Sequence, residues 1–372
     1  VDFVKAVVER YDKDNIDDMP GLLYPINYWG IEREFTGFFP GSGSEYVQVL
    51  KLAYPAVKEA NPNAKVMLNA LLMWDIFQGN PSDAEIEKRM QNPLNGKRKD
   101  ISDLPILLDA YNYFDVVDIH LLGDYSEIKP TVKWIKKELA KRSTSKEIYG
   151  GDVFPMSPLL AYGLETCNPG IIGAKELFPV TAKTSCVASK LIESMRKKND
   201  PNHQKAMEWL EKNNALNLVK KYVVAANEGI SGMNIGNLED WPIPFGAGTA
   251  SNMGMMDTTH PLGNQLVIVR TPVEERPAFY ALKTIVYYLD VFDSVKQLDI
   301  GSNIYAYEFT RSSKKIIVAW YDDANFYGLD AKTPEVTAKI PWDKKEAAIT
   351  ETPTERNNQE GKSSKAAVDK DY

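Results

Sequence analysis

The sequence predicts an α/β protein in which helices cover a parallel β-sheet, followed by a small antiparallel β domain. Up to about residue 290, segments with helical periodicity alternate with short apolar segments that are typical of strands. These apolar segments are nearly continuous in character, as expected for parallel strands buried on both faces. After about residue 293 the helical periodicity ends, and short segments separated by turns indicate antiparallel strands.

Local features mark the predicted helices. Residues 2–11 place their apolar side chains on one face of a helix. Ser44 caps the next helix, residues 45–60, and Pro130 opens a later one. The remaining predicted helices cover residues 103–113, residues 179–227 with a break at Asp200-Pro201, and residues 277–292.

The predicted strands are short and bounded by turn residues. In the first part they cover residues 24–31, 64–72, 114–122, 146–153 and 229–238, and in the second part residues 303–311, 314–322 and 335–342. The chain is therefore predicted to divide into a β/α part (1–292), a small β domain (293–350) and a tail (351–372). The tail is polar and lacks large aliphatic residues, so we expect it to be disordered.

Composition argues against several classes of function. Lysine and arginine total 44 and aspartate and glutamate total 51, for a formal charge of −7. Without a concentrated positive face, a nucleic-acid partner is not expected. No apolar stretch reaches about 18 residues, so no membrane-spanning helix is expected. The amphipathic start lacks the layout of a signal peptide, so a secretory signal is absent or already removed.

The cysteines and histidines indicate no metal centre. Cys167 and Cys186 form either one disulfide of an exported protein or two buried thiols, and both alternatives stay open. No Cys/His cluster has the spacing of zinc ligands. We expect no metal or cofactor, and a catalytic mechanism here would rest on carboxylates.

The first candidate site lies in residues 27–37, where an aromatic strand meets a Gly/Pro-rich loop. Functional groups collect at the carboxyl ends of parallel strands. If the strand persists, alternation places Glu32 and Glu34 on one face and Arg33 on the other. The alternative for these residues is a salt-bridged surface turn.

The second candidate is Asp152, which closes a short strand after two glycines that allow a close approach of backbone or ligand. Asp152 and Glu34 would open on the same rim of the sheet, and two carboxyl groups are the minimum apparatus for glycoside hydrolysis. His120 is predicted to point into the same cleft. The alternative for His120 is a core histidine bonded to the backbone, and the alternative for Asp152 is a simple turn former. Aromatic side chains near strand ends are candidate platforms for sugar rings: Trp29, Trp74, Tyr125 and Trp241. For each of them the alternative is core or rim packing.

These segments resemble clan A glycoside hydrolases. YWGIEREFTG (28–37) resembles the fourth-strand signature of that clan, in which the Glu, here Glu34, is the acid/base. FDVVDIHLL (114–122) is similar to the sixth strand, where a His lies in the site. KEIYGGDVF (146–154) stands where the seventh strand ends in the nucleophile, here Asp152. The resemblance implies a TIM-type (β/α)8 barrel with strands four to eight recognisable, and the β domain after it is typical of family 39-like members.

Four positions depart from the pattern of the clan. Arg33 replaces the Asn that holds the sugar 2-hydroxyl, and Phe35 replaces a Pro. Asp152 is one methylene shorter than the usual Glu, and Leu122 stands where a Tyr often supports the nucleophile. If the strand is regular, Arg33 anchors a carboxylate behind the rim. If the strand bulges, Arg33 enters the cleft and favours an acidic sugar.

The resemblance also implies strands that this chain does not show. Only about 23 residues precede Tyr24, whereas the barrel would need three more strands there. Five strands cannot close an eight-stranded barrel. We therefore expect a second chain or a missing N-terminal segment to complete it.

Three functional hypotheses follow. The first is a glycoside hydrolase that cleaves a polysaccharide or oligosaccharide, acting outside the cell or on the cell surface. The second is a carbohydrate-binding or structural protein on a degenerate barrel that has lost catalysis. The third is an unrelated α/β enzyme, for which Glu239 and Asp240 are the spare carboxylates.

Overall fold

The computed structural model describes residues 1–92, 99–155, 187, 190–195, 197–236, 238–239, 253–259 and 271–367. The chain forms two compact units. Unit 1 consists of Val1–Leu121, Ser126–Val153 and Gly229–Asn234, and unit 2 consists of Leu122–Tyr125, Phe154–Glu228 and Ile235–Tyr372. Unit 2 thus contains residues on both sides of residue 292, where the sequence predicts a boundary.

Unit 1 is built on a five-stranded parallel sheet whose strands lie in chain order, as predicted. The strands are β1 (Tyr28–Gly30), β2 (Lys65–Leu71), β3 (Val116–Leu121), β4 (Glu147–Val153) and β5 (Met233–Ile235). Most residues of β2 and β3 are buried, including consecutive ones such as Val116 and Val117, so both faces of these strands are covered. A closed TIM-type barrel has eight strands, and the described part of the chain supplies five of them to this sheet.

The helices of unit 1 connect these strands. They are α1 (Asp2–Arg10), α2 (Phe35–Phe38), α3 (Gly43–Ala60), α4 (Trp74–Phe77), α5 (Asp83–Gln91), α6 (Lys99–Ser102), α7 (Leu104–Asp109) and α8 (Ile128–Ala140). The N-cap of α3 is Ser42 and not Ser44 as predicted. The Ser42 side chain accepts the backbone N–H of Glu45, and the Glu45 carboxylate accepts the backbone N–H of Ser42. This reciprocal capping box fixes the start of α3 two residues early.

Unit 2 combines helices with antiparallel strands. A helical segment covers residues 190–195, followed by α9 (His203–Glu228) and α10 (Pro277–Leu289). The strands are β6 (Met256–Thr259) paired with β7 (Thr271–Glu275), the sheet β8 (Ser294–Leu298), β9 (Ile304–Arg311) and β10 (Lys314–Tyr321), and β11 (Glu346–Thr350) paired with β12 (Ser363–Ala367). Leu218 of α9 and Ala278 of α10 share one apolar cluster. Among the described helices, none has both the length and the apolar character needed to cross a membrane.

Two segments of unit 2 differ from the sequence predictions. Residues 335–342 form no strand, because Val336 and Ile340 remain 47% and 41% exposed and find no sheet to cover them. The third strand of the sheet that contains β9 and β10 is β8, which pairs with β9. In the tail, where disorder is predicted, Ser363–Ala367 pairs in five register positions with β11.

Arg356 ties this tail to three acidic groups of unit 2, of which Glu211 is buried. Its Nε lies 2.9 Å from Oε2 of Glu211, and its Nη1 lies 3.0 Å from Oε2 of Glu274 and also bonds Asp257. Glu211 is only 7% exposed. The hydrogen bonds to Glu211 and Asp257 raise the pKa of Arg356 further above its ordinary value. A sequence reading based on apolar content alone misses such an ionic anchor.

Candidate active site

His120 and Asp152 lie side by side on neighbouring strands of unit 1. They are Cα partners in the parallel pair of β3 and β4. The preceding residue, Ile119, pairs with Gly150. Gly151 is therefore an extra residue in β4, a β-bulge. Without the extra residue, His120 would pair with Gly151, and Asp152 would point to the opposite face of the sheet. Because of the bulge, Asp152 is on the same face as His120.

Glu34 reaches this pair from the turn that follows β1. Glu32 has a φ of 67°, in the left-handed region, so the chain reverses there. The Tyr46 hydroxyl donates to the Ile31 carbonyl (2.7 Å), and the side-chain amide of Asn69 donates to the Glu32 carbonyl. The alternation of Glu32 and Glu34 is expected only if the strand persists, and it does not persist, because β1 ends at Gly30, before either residue.

The Glu34 carboxylate and the His120 imidazole are in direct contact. Oε2 of Glu34 lies 2.8 Å from Nδ1 of His120, and the two side chains are 14% and 11% exposed. The second oxygen, Oε1, lies against Gly37 of α2, where any Cβ atom would overlap it. The carboxylate is thereby held between the imidazole and a helix backbone.

A second carboxyl group, Asp118, lies on the same face of β3, two residues before His120. It is 3% exposed. A Cβ atom on Gly151 would overlap both of its oxygens, so the bulge glycine is also what makes room for this carboxyl group. Burial raises the pKa of Asp118 to about 7, and the charge of Asp152 adds to the rise, while His120 and the Gly151 backbone act in the opposite direction.

The imidazole of His120 is surrounded by acidic groups. Burial alone lowers its pKa, but the hydrogen bond to Glu34 and the charges of Asp118 and Asp152 outweigh burial, and the pKa of His120 is raised. Such an environment favours the imidazolium form of His120. The cluster can hold and move protons between one imidazole and three carboxyl groups.

Trp29 and Arg33 lie close to this cluster in the chain. The Trp29 indole N–H donates to the Ile26 carbonyl (3.1 Å), and the ring is partly exposed. The Arg33 side chain is exposed, with its guanidinium over the ring of Phe38 at 6.0 Å. Among the described residues Arg33 forms no ion pair, so the structure offers no carboxylate for it to anchor.

Tyr125 is placed within unit 2. Its ring is 6% exposed and packs edge-on against Tyr305 and Trp320, and its hydroxyl donates to Oδ2 of Asp322 (2.8 Å). Lys220 also bonds Asp322 (3.1 Å). A ring enclosed in this way has no open face for a sugar, which argues against the predicted platform at Tyr125.

Several predicted residues fall outside the described part of the chain. The backbone of Trp74 begins α4, but its side chain is outside the described residues. Glu239 belongs to unit 2. Four others lie wholly outside the described residues: Cys167, Cys186, Asp240 and Trp241.

The sequence reasoning missed the roles of Asp118, Gly37 and Gly151. For Asp118 the sequence does contain a signal. An aspartate inside the apolar run FDVVDIHLL is predicted to be buried, and buried aspartates are rare unless they are paired. For Gly151 the pair of glycines before Asp152 is a partial signal, but its partner Asp118 lies on another strand and is not evident from the sequence. Gly37 is required by Glu34, three residues earlier, and no pattern in the sequence indicates that contact.

A separate acidic cluster follows α1. Oxygens of Asp12, Asp14 and Asp18 lie within 4.8 Å of one another. The Asp18 carboxylate accepts the backbone N–H groups of Lys13 (2.9 Å) and Asn15 (2.8 Å), so these acids hold their own loop together. Nothing else in the described residues points to a ligand there, and we assign no metal to it.

Comparisons with known proteins give structural likenesses only. A scan against protein-family models found no match, and a search of curated proteins found none either. A family 39 glycoside hydrolase from Bacteroides cellulosilyticus is 14% identical, with 87% of this chain and 52% of that one covered and a TM-score of 0.46. A family 51 α-L-arabinofuranosidase from Thermotoga petrophila is 12% identical, with coverage of 99% and 69% and a TM-score of 0.44. A family 44 xyloglucanase from Paenibacillus polymyxa is 9% identical, with coverage of 87% and 58% and a TM-score of 0.41.

The chain spans about half the length of the first of these structures. At these identities and scores, the comparison assigns the chain to no family.

Proposed function

We propose that this chain is a glycoside hydrolase-like protein that acts on a polysaccharide or oligosaccharide, with Glu34 and Asp152 as its two carboxylates. The observation that carries the proposal is the convergence of both residues on His120, Glu34 by a 2.8 Å contact and Asp152 as its partner on β4. Glycoside hydrolysis requires one carboxyl group to protonate the leaving oxygen and another to attack the anomeric carbon or to activate water. We place its action outside the cell or on the cell surface.

The Glu34–His120 pair supplies the proton. When His120 is protonated, one proton lies between its Nδ1 and Oε2 of Glu34. As the glycosidic C–O bond breaks, this proton passes through Glu34 to the leaving oxygen and His120 becomes neutral. The Asp152 carboxylate either forms the bond to the anomeric carbon or takes a proton from the water that does. In the first case a water molecule then attacks the anomeric carbon, breaks the Asp152–sugar bond and gives its proton to the Glu34–His120 pair. In the second case Asp152 releases its proton to solvent, and the pair regains its own proton from water.

Trp29, five residues before Glu34 in the chain, is the candidate sugar platform. The hydrogen bond from its indole to Ile26 fixes the ring, and its partial exposure leaves surface for stacking. Arg33 has no ion pair among the described residues, so an acidic sugar is a ligand that its guanidinium can take.

One observation favours a second candidate, a catalytically impaired carbohydrate-binding protein. The raised pKa of His120 stabilises the imidazolium–carboxylate form of the pair. In that form His120 holds its proton more tightly, so the pair gives a proton to the leaving oxygen less readily. The two candidates therefore differ in turnover and agree in carbohydrate binding.

The deciding experiment measures hydrolysis of aryl glycosides of neutral sugars and of uronic acids, together with binding of polysaccharides. For the hydrolase, Glu34→Gln and Asp152→Asn each reduce kcat/KM by about 10²–10⁴-fold, with binding retained. Glu32→Gln is the matched control, because Glu32 is an exposed glutamate of the same turn and keeps full activity.

The outcomes separate the candidates. Binding without hydrolysis in the parent protein establishes the impaired binding protein. Hydrolysis that survives both carboxylate substitutions contradicts the assigned site. If the parent neither binds nor cleaves any carbohydrate, both candidates are rejected.

A further inference from the structure

Asp118 is a buried carboxyl group whose hydrogen-bonding capacity is only partly used. It is 3% exposed, and its Oδ1 has no hydrogen-bond partner in the part of the chain that the structure describes. The Gly151 backbone bonds the carboxyl group, which rests against that glycine. A buried ionised carboxylate with an unpaired oxygen is costly, so loss of its proton is opposed unless a positive charge lies near.

The groups that face Asp118 come from three elements. β4 contributes Asp152 and Tyr149, and α3 contributes Tyr46, whose hydroxyl is already bonded to a backbone carbonyl. β3 itself contributes His120, two residues along the same face. Of these groups in the described chain, His120 is the one that can carry a positive charge.

His120 and Asp118 therefore stabilise each other's charged forms. Two residues along a strand are about 7 Å apart, a distance at which opposite charges in a protein interior interact substantially. Groups that interact in this way titrate as a unit, with each proton loss felt by both.

We propose that Asp118 is a positioning residue of the site: by giving up its proton as the pH rises, it retains the proton on His120 and so keeps the contact between His120 and Glu34 an imidazolium–carboxylate pair. The pair of His120 and Glu34 then persists to higher pH than it would beside a neutral side chain. The catalytic role of Glu34 rests on the proposed function. The coupling of Asp118 to His120 can be tested without measuring any enzymatic activity.

The test is a side-chain NMR titration of the full chain labelled with ¹⁵N-histidine. The sequence has three histidines, and His120→Gln assigns the His120 signal. In the parent, the His120 signal is expected to show two inflections, one of them reporting Asp118. In Asp118→Asn the second inflection disappears and the pKa of His120 falls, because one of the negative charges that raise it is gone.

Asp118→Asn separates charge from structure, because the amide oxygen can still accept the Gly151 N–H. Asp109→Asn is the control: it removes one negative charge from unit 1 at a carboxylate that is 68% exposed, and it leaves the His120 titration unchanged. Gly151→Ala displaces the Asp118 carboxyl group without altering its charge, and the pKa of His120 is expected to fall there too.

A single inflection of His120 in the parent overturns the proposal whether or not the variants fold. So does an unchanged pKa of His120 in folded Asp118→Asn. A parent protein that shows the coupled titration but cleaves no glycoside contradicts the proposed function and leaves the role of Asp118 intact.

Discussion

Gly37 and Glu34 lie so close together that a methyl group on Gly37 would overlap Oε1 of the Glu34 carboxylate. The other oxygen, Oε2, contacts Nδ1 of His120 at 2.8 Å. The carboxylate thus fills a slot between α2 and the imidazole, and its position depends on residue 37 having no side chain.

Gly37→Ala is expected to push the Glu34 carboxylate away from His120. A displacement of about 1 Å in a catalytic group can cost up to about 10²-fold in rate, so kcat/KM should fall by about 10–10²-fold. The pKa of His120 should also fall, since the hydrogen bond to Glu34 is one of the effects that raise it.

Thr36→Val is the control for Gly37→Ala. Within the described chain the Thr36 hydroxyl is buried without a hydrogen-bond partner, so its removal from the same short helix loses no bond. Full activity and an unchanged His120 titration in Gly37→Ala would contradict the dependence on residue 37.

Asp118→Asn is expected to change how stability depends on pH. Burial raises the pKa of Asp118 to about 7, whereas in the unfolded chain it is near the ordinary value of about 3.9. Between these values the folded protein holds a proton that the unfolded chain has lost, so the parent loses stability as the pH rises towards 7. Asn has no such proton. The free energy of unfolding of the variant minus that of the parent should therefore be about 2–3 kcal/mol larger at about pH 8 than at about pH 5.

Urea unfolding at the two pH values measures this difference. Asp109→Asn, at an exposed carboxylate, should show a difference from the parent that changes little with pH. A constant difference for Asp118→Asn would mean that the carboxyl group is already ionised at about pH 5.

Arg356→Ala is expected to destabilise unit 2 by about 3 kcal/mol or more, because it leaves the buried Glu211 carboxylate without the guanidinium that bonds it. Lys197→Ala removes an exposed i,i+4 pair with Glu193 and should cost at most about 0.5 kcal/mol. Denaturant unfolding of both variants gives the comparison. Equal, small losses would show that Arg276, 2.7 Å from Asp257, neutralises the cluster without Arg356.

Tyr125→Phe is expected to lower the free energy of unfolding by about 1.5–3 kcal/mol, because it removes a hydrogen bond to the charged Asp322. Carbohydrate binding should not change, since the ring is enclosed by its neighbours. Thermal unfolding and polysaccharide binding report the two effects separately. Weaker binding with unchanged stability would restore Tyr125 as a sugar platform.

The sequence predicts the order and the approximate bounds of the five parallel strands, because apolar runs such as AKVMLNALL and FDVVDIHLL are buried on both faces. The proximity of His120 and Asp152 follows from strand order alone, since both residues stand near the ends of adjacent strands. These features depend on local composition and on chain order, which a sequence contains directly.

The details of the site depend on departures from regular structure. Alternation fails at Glu32, where a left-handed residue ends the strand, and at Gly151, where a bulge shifts the register by one residue. The sequence also gives no sign that Arg356 bonds a buried acid. In each case the cause is a partner distant in the chain, such as Asn69 for the turn at Glu32, Asp118 for Gly151 and Glu211 for Arg356.

The long separation in sequence between β4 and its neighbour β5 has a consequence for how the chain folds. β4 ends at Val153, but its neighbour in the sheet begins only at Met233, beyond the helical segment and α9. Until the chain closes this long loop, one edge of β4 presents unpaired backbone groups that can template association with another chain. Pairings between such distant segments slow folding, because the loop entropy is lost before the contacts form. We therefore expect a slow refolding phase that reports completion of the sheet, and a tendency to aggregate that is greatest before that phase ends.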